Sequence, residues 1–308
     1  METVAEVLVR ADRVMEQERP EAVLIYGDTN SGLAVMAAKR RKIPVFHMEA
    51  GNRCFDQRVP EELNRKVIDH LSDINMVLTE HARRYLLAEG IAPERIFKVG
   101  SHLEEVLEYF RPQIMASTVL QRLDLEPGRY FLVSSHREEN VDDEGRLRDL
   151  LECLNGLCQS YGYPVVVSTH PRTRKRLDAL GELVVDPDVR FLPPFGFVDY
   201  VRLQTDASCV LSDSGTITEE ASLLGFPAVT IRETHERPEG MDEGTLVMCG
   251  LKPEAVLDSV RFVMAAAAGS VPPARHVGDY MAGPVSRKVV AIVLSYIDYV
   301  NRVVWHKT

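Results

Sequence analysis

The sequence predicts an α/β fold built on two doubly wound parallel sheets, on three observations. Short apolar runs alternate with amphipathic helical segments almost throughout, the pattern of a parallel sheet with helices on both faces. That alternation breaks around 110–127, where Pro112 and Pro127-Gly128 bracket one helix, and then resumes. Polar clusters follow the apolar runs, at the strand C-termini where such sheets bind ligands.

The elements follow in order. Val4, Val7, Leu8, Ala11, Val14 and Met15 have helical spacing, so the chain opens inside an amphipathic helix. Strands are predicted at 22–26, 43–48, 74–78 and 96–99, with helices near 31–41, 61–70, 80–89 and 102–109 between them. The second series begins at Tyr130-Phe131-Leu132-Val133-Ser134 and continues near 164–169, 189–192, 207–212 and 227–231. A last long helix, about 284–303, follows Pro284 and is expected to cross back to the first domain. The domains are therefore read as 1–115, 116–283 and the returning helix 284–308.

A chain of 308 residues suffices for two ordinary domains. Its 45% hydrophobic and 27% charged residues are those of a soluble globular protein. A net charge of −10 argues against nucleic acid and anionic membranes as partners. The five cysteines have no metal-ligand spacing and fit a reducing cytoplasm. No apolar stretch is long enough to span a bilayer.

The most telling stretch is Ser212-Asp213-Ser214-Gly215-Thr216-Ile217-Thr218-Glu219-Glu220 after the apolar run 207–211. It reads as a strand, a tight turn and the first turn of a helix, whose unpaired N–H groups and dipole suit a phosphate. Glu219 and Glu220 are placed to accept bonds from sugar hydroxyls. The same residues also read as an ordinary helix start with Ser214 as its cap.

Other clusters end other strands: Gly27-Asp28-Thr29, His47-Met48-Glu49-Ala50-Gly51, His136-Arg137, and Thr169-His170-Pro171-Arg172. Pro60-Glu61-Glu62-Leu63-Asn64-Arg65 opens a helix, and Arg232 to Gly240 forms a polar loop in which Arg232 and Arg237 flank acids. Asp28 also reads as a helix cap, and Glu61 and Glu62 as ordinary first-turn acids. Carboxylates on one domain, with a phosphate surface and histidines on the other, suit chemistry on a nucleotide-linked sugar.

In this order the clusters resemble the non-hydrolysing UDP-N-acetylglucosamine 2-epimerase family over nearly the whole chain. The segments Gly51 to Glu62, His136 to Asp142 and Ser168 to Arg174 are more specific. They are similar to the branch that makes UDP-N-acetyl-L-fucosamine by inverting C2 of its L-talo epimer. The resemblance implies two Rossmann-like domains of the GT-B type around a cleft, a homodimer, and no metal or other cofactor. It implies Asp28, Glu49 and Glu61 as acid/base groups, with His136 at the diphosphate. Ser214 with Gly215 would hold a phosphate and Glu220 the ribose, with Arg65, Arg137, His170 and Arg232 as further substrate-binding residues. The family pattern opens with a strand and a Gly-Thr-Arg-Pro-Glu loop that have no counterpart here. The first domain is therefore expected to be N-terminally truncated, with Val23, Ile25 and Val45 uncovered. A GT-B glycosyltransferase, a hydrolysing epimerase and an inactive nucleotide-sugar-binding remnant are the alternatives.

Overall fold

The structure, a computed structural model, describes residues 1–181, 184–269 and 276–307. In chain order the first elements are α1 (Glu2–Glu18), β1 (Val23–Tyr26), α2 (Val35–Arg40), β2 (Val45–Met48), α3 (Pro60–Leu71), β3 (Ile74–Val77), α4 (Glu80–Ala88) and β4 (Ile96–Lys98). Next come α5 (Leu103–Ala116), α6 (Val119–Leu123), β5 (Phe131–Ser134), α7 (Glu138–Val141), α8 (Glu144–Tyr161), β6 (Val165–Ser168), α9 (Pro171–Ala179) and β7 (Val189–Leu192). The last are α10 (Phe197–Asp206), β8 (Cys209–Ser212), α11 (Ile217–Leu224), β9 (Ala228–Thr230), α12 (Glu239–Asp242), β10 (Val247–Met248), α13 (Pro253–Ala267) and α14 (Val285–Tyr299).

The chain forms two compact units, one of Met1–Glu105 with Gly278–Thr308 and one of Val106–Val277. The sequence puts the corresponding boundaries at 115/116 and 283/284. One difference has a local cause: Pro112 lies inside α5 instead of ending a helix before it. Proline forfeits one intrahelical N–H bond and tends to kink a helix without always ending it.

The first unit holds a parallel sheet in the order β1-β2-β3-β4. Its register pairs Val23 with Val45 and Tyr26 with Met48, so β1 and β2 end side by side. Helix α3 starts at Pro60, with Glu61 and Glu62 in its first turn, where acids complement the dipole. The side chains expected to be uncovered are not. Val45 is fully buried and Ile25 nearly so, in a core with Met15, Leu33, Val35 and Ile68, against which Val4, Leu8, Ala11 and Val23 pack. The apolar stripe of α1 covers this face. The edge strand instead exposes its other face, at Leu24 and Tyr26. Helix α14 covers the opposite side of the sheet, where Val285 and Val289 join Phe46, Ile74, Met76 and Val99.

The second unit holds a parallel sheet in the order β10-β9-β8-β5-β6-β7. Its central strands β5, β6, β8 and β9 are buried on both faces, as an apolar run such as Cys209-Val210-Leu211 requires. The chain order reverses between β5 and β8, and Ser134 and Ser212 face each other at that point. Ligands bind at such switch points, outside the strand C-termini. Asp143 caps α8 by accepting from the Arg146 N–H, and Gly162 closes it in the left-handed conformation.

Gly51 is fixed by both backbone and space. It has φ +79°, and a Cβ there would lie 2.6 Å from the Ala82 carbonyl oxygen; Gly90 has φ +86° with open space around it. Gly90→Ala therefore bears only the left-handed backbone cost, of about 1–2 kcal/mol. Gly51→Ala adds a clash with backbone and is expected to lose clearly more stability. Urea unfolding of the two variants checks the ordering.

Candidate active site

In the first unit the candidate residues gather at the C-terminal edge of the sheet. Asp28 follows β1 and Glu49 follows β2, on neighbouring strands that end together. Gly27, between β1 and Asp28, has φ +75°, and a Cβ on it would meet Glu49 Oε2 at 3.4 Å, an ordinary contact. Glu49 itself has φ +66°, a region where residues with a Cβ are uncommon. Asp28 is held by Arg65, whose Nε donates to Oδ2 at 2.7 Å. The Asn64 amide donates to the Asp28 carbonyl at 3.0 Å.

The adjacent acids at the start of α3 have different fates. Glu62 is fully buried. It accepts from the Cys54 and Phe55 backbone N–H groups at 3.0 and 3.2 Å and from Arg65 Nη1 at 3.1 Å. Glu61 is half-buried, and among the described residues its carboxylate has no hydrogen-bond or ion-pair partner. Residues three and four apart share a helix face, so Glu61 stands on the side of α3 that carries Asn64 and Arg65 to the Asp28 loop.

In the second unit the switch point is organised by Asp213, a residue the sequence reading passed over as part of a turn. Its side chain is fully buried. It accepts from Ser135 Oγ at 2.9 Å, from the His136 and Arg137 backbone N–H groups at 3.0 Å each, and from Asn140 Nδ2 at 3.0 Å. His136 Nδ1 lies 3.1 Å from the other carboxylate oxygen, while the ring remains 43% exposed. Burial pushes Asp213 up, but the His136 ring and the surrounding donors outweigh it and hold the carboxyl below its ordinary value. The hub thereby fixes both the backbone at 135–137 and the His136 ring. Arg137 Nε donates to the Asp213 carbonyl at 2.9 Å. His170 is exposed, its ring 6.2 Å from that of His136, and its Nδ1 accepts from the Arg172 N–H to cap α9.

The turn after β8 leads into α11, whose cap position is Thr216 and not Ser214. The Ser214 N–H is held by Ser212 Oγ at 3.0 Å, and Ser214 Oγ lies 3.0 Å from Thr216 Oγ1. Gly215 has no room for a side chain, because a Cβ would lie 2.5 Å from Glu236 Oε1. Beneath it runs a buried chain of ion pairs. Arg232 Nη1 meets Glu236 at 2.8 Å, Arg237 Nη1 meets Glu236 at 3.5 Å, and Arg237 Nη2 meets Glu219 at 2.7 Å. Arg232 is 2% exposed, and its Nε and Nη2 have no hydrogen-bond partner among the described residues. Ser214, Gly215, Thr230, Arg232 and Glu236 help line a cavity of about 10 Å³ here, about the space one water needs.

Glu220 lies on the next turn of α11. Its carboxylate accepts from Gln204 Nε2 at 2.5 Å and from Thr216 Oγ1 at 2.8 Å. Burial pushes its pKa up despite these donors. Gln204 and Tyr200 are neighbours on one face of α10, and the Tyr200 hydroxyl bonds to Ser134 and Ser212. Neither was singled out from sequence; their i, i+4 spacing was the only available signal. Among the described residues no group of three or more His, Cys, Asp and Glu side chains is placed to hold a metal ion. No described helix is long and apolar enough to cross a membrane.

The pattern of the UDP-N-acetylglucosamine 2-epimerase family matches residues 1–294. The chain belongs to that family. Its members are isomerases, and the chain is an enzyme of that kind. A UDP-2,3-diacetamido-2,3-dideoxy-D-glucuronate 2-epimerase of Pseudomonas aeruginosa is 35% identical over 258 residues, covering 83% of this chain and 71% of that one. A solved UDP-N-acetylglucosamine 2-epimerase from Rickettsia bellii superposes with a TM-score of 0.91 at 54% identity, covering 99% of this chain and 82% of that one. A UDP-GlcNAc 2-epimerase of Methanocaldococcus jannaschii, solved in complex with UDP-GlcNAc and UDP, gives 0.86 at 30% identity, covering 95% and 80%. The two Rossmann-like units thus match the GT-B-like architecture of this epimerase family.

The Asp213 hub has a pH signature. A carboxyl whose folded pKa is depressed stabilises the fold fully above its unfolded value, 3.8 for aspartate, and loses that contribution as pH falls through the folded value. Asp213→Asn should therefore cost stability at neutral pH, by about 1.5–3 kcal/mol for charge-assisted bonds. The deficit should shrink as the pH is taken below 3.8. Denaturant melts of both proteins across that range check it; a deficit independent of pH would contradict the assignment.

Proposed function

We propose that the protein inverts C2 of a UDP-linked 2-acetamido sugar by anti elimination of UDP and re-addition. C2 bears no acidic proton, because no carbonyl is attached to it, so direct deprotonation is too slow. Removal of H2 by a base while the C1–O bond to UDP breaks leaves a glycal. A second group protonates C2 from the other face, and UDP returns to C1. Such a site needs acid/base groups on both faces of C2 and a firm hold on the diphosphate.

The observation that carries this reading is the group of carboxylates at one edge of the first sheet. Asp28 and Glu49 lie on neighbouring strand ends, and Glu61 stands without a partner among the described residues on the helix face that reaches them. In our reading these three carry the protons and Arg65 orients Asp28. In the second unit Ser214 and Gly215 hold a phosphate at the start of α11, and Glu220 takes the ribose hydroxyls. His136, oriented by Asp213, assists departure of the diphosphate, and Arg137 and His170 flank it. Arg232, being buried, contributes its field and not a direct contact.

For the sugar we propose the L-talo epimer of UDP-N-acetyl-L-fucosamine, on the resemblance carried by Gly51 to Glu62, His136 to Asp142 and Ser168 to Arg174. Interconversion of UDP-GlcNAc and UDP-ManNAc is the second candidate, since a solved relative was captured with UDP-GlcNAc. The proposal includes a homodimer, a part in surface polysaccharide synthesis (O-antigen or capsule), and a cytoplasmic location that accords with five free thiols.

Turnover in deuterated water should place deuterium at C2 of the product, with no added acceptor, metal or NAD. Product lacking deuterium at C2 would exclude the mechanism. Glu49→Gln and Asp28→Asn should each lower kcat by about 10²–10⁴-fold, the usual contribution of a general acid or base, with little change in UDP affinity. Near-normal turnover in either variant would remove that residue from the scheme.

Glu220→Ala should weaken UDP itself by roughly 1.5–3 kcal/mol, the worth of a charge-assisted hydrogen bond. Calorimetry with UDP measures this directly, and an unchanged affinity would return Glu220 to a purely structural part.

A further inference from the structure

We infer that Asp69 is a positioning residue that holds Glu49 in its strained turn, which deepens the reading of Glu49 as an acid/base group and rests on it. Asp69 lies in the last turn of α3, and its side chain has no exposure. A carboxylate there faces the negative end of the helix dipole, an unfavourable place that calls for specific compensation.

That compensation comes from either side of Glu49. Two residues before it, His47 Nδ1 lies 2.8 Å from Asp69 Oδ1. Two residues after it, the Gly51 N–H donates to both Asp69 oxygens, at 3.3 and 3.2 Å. One carboxylate therefore spans the turn 47–51. Glu49 sits at its centre with φ +66°, a conformation that a residue with a Cβ adopts only when its surroundings impose it.

The other contacts keep the bracket from moving. Arg53 Nη1 lies 2.7 Å from Asp69 Oδ2, and Arg53 Nε and Nη2 grip Glu89 at 2.8 and 2.7 Å. Arg53 and His47 are each 1% exposed. The second ring nitrogen of His47, Nε2, lies 3.0 Å from the Gly27 carbonyl oxygen, directly before Asp28. The same carboxylate thus reaches the Glu49 turn directly and the Asp28 loop through one imidazole.

A residue that only balances the charge of Arg53 would tolerate any carboxylate; a bracket would not. Asp69→Glu keeps the charge but carries the oxygens one methylene further. In the full chain, assayed with UDP-N-acetylglucosamine, it should lower kcat by about 10²-fold, as a misplaced catalytic group does. UDP affinity by calorimetry should stay within about twofold, since the nucleotide contacts lie elsewhere. Thermal melts supply a reading that needs no turnover. Glu49→Gly should melt a few degrees above Glu49→Ala, the reverse of the usual order, because glycine takes positive φ without strain. Asp69→Glu should then lower Tm more in the Glu49→Ala background than in the Glu49→Gly one. Equal losses in both backgrounds, or kcat within twofold of the parent, would overturn the inference. If Asp69→Glu does not fold, the Gly-against-Ala comparison still decides, because a lower Tm for Glu49→Gly would mean that no strain is held there. Glu49→Gln is the control for the underlying reading. Normal turnover in that variant would sink the acid/base role of Glu49 and leave the Tm coupling to judge the bracket alone.

Discussion

A carboxylate taken out of water must be met by donors, because an unpaired buried charge is intolerable. This chain uses that requirement to set its irregular backbone. Asp213 draws in the His136 and Arg137 N–H groups after β5. Glu62 collects the Cys54 and Phe55 N–H groups of the loop before α3. Asp73 takes the Val45 N–H at the start of β2, at 2.9 Å, and Asp69 takes that of Gly51. These N–H groups belong to loops or strand starts and need partners that regular structure does not supply. The acids therefore shape the loops that carry the candidate site, while the apolar sheets only present those loops.

The turn into α11 shows the same economy with both signs of charge. Two arginines and two glutamates alternate beneath Gly215, as Arg232, Glu236, Arg237 and Glu219. Buried ion pairs of this kind are weak evidence for stability, since desolvation consumes most of the attraction. Their consequence here is geometric. Glu236 Oε1 occupies the space a Gly215 side chain would need, so the turn lies flush against the network. The network is neutral in sum, and it leaves the Arg232 Nε–H and Nη2–H groups without a hydrogen-bond partner among the described residues below the N-terminus of α11.

Much of the architecture was legible because parallel strands buried on both faces read as continuous apolar runs. Tyr130 to Ser134 and Ala207 to Ser212 could hardly be anything else. What escaped were elements whose signal is short or shared. Strand β10 is two residues long at a sheet edge, and Pro112, a residue type that usually ends a helix, lies inside α5. The site residues at strand ends stood out because polar groups follow apolar runs there. Their supports did not. Asp69 lies 18 residues beyond Gly51 on a different element, and Gln204 lies 16 before Glu220. Only the folded topology brings such pairs together. Arg232 and Arg237 were legible in part, because arginines flanking acids in a polar loop suggest an ordered network, and that network is present and buried.

Glu61 and Glu62 make the limit concrete. They are identical in type, adjacent, and equally suited to the first turn of α3. A helix separates neighbours by about 100° around its axis, so they cannot do the same work. Glu62 turns toward the loop 54–55 and becomes structural, saturated by donors. Glu61 stands three and four residues before Asn64 and Arg65 and has no hydrogen-bond or ion-pair partner among the described residues. A saturated carboxylate gives up its proton-accepting capacity to the fold, whereas one with open lone pairs keeps it. The division of labour follows from where the helix begins, and the loop that Glu62 holds is what sets that beginning.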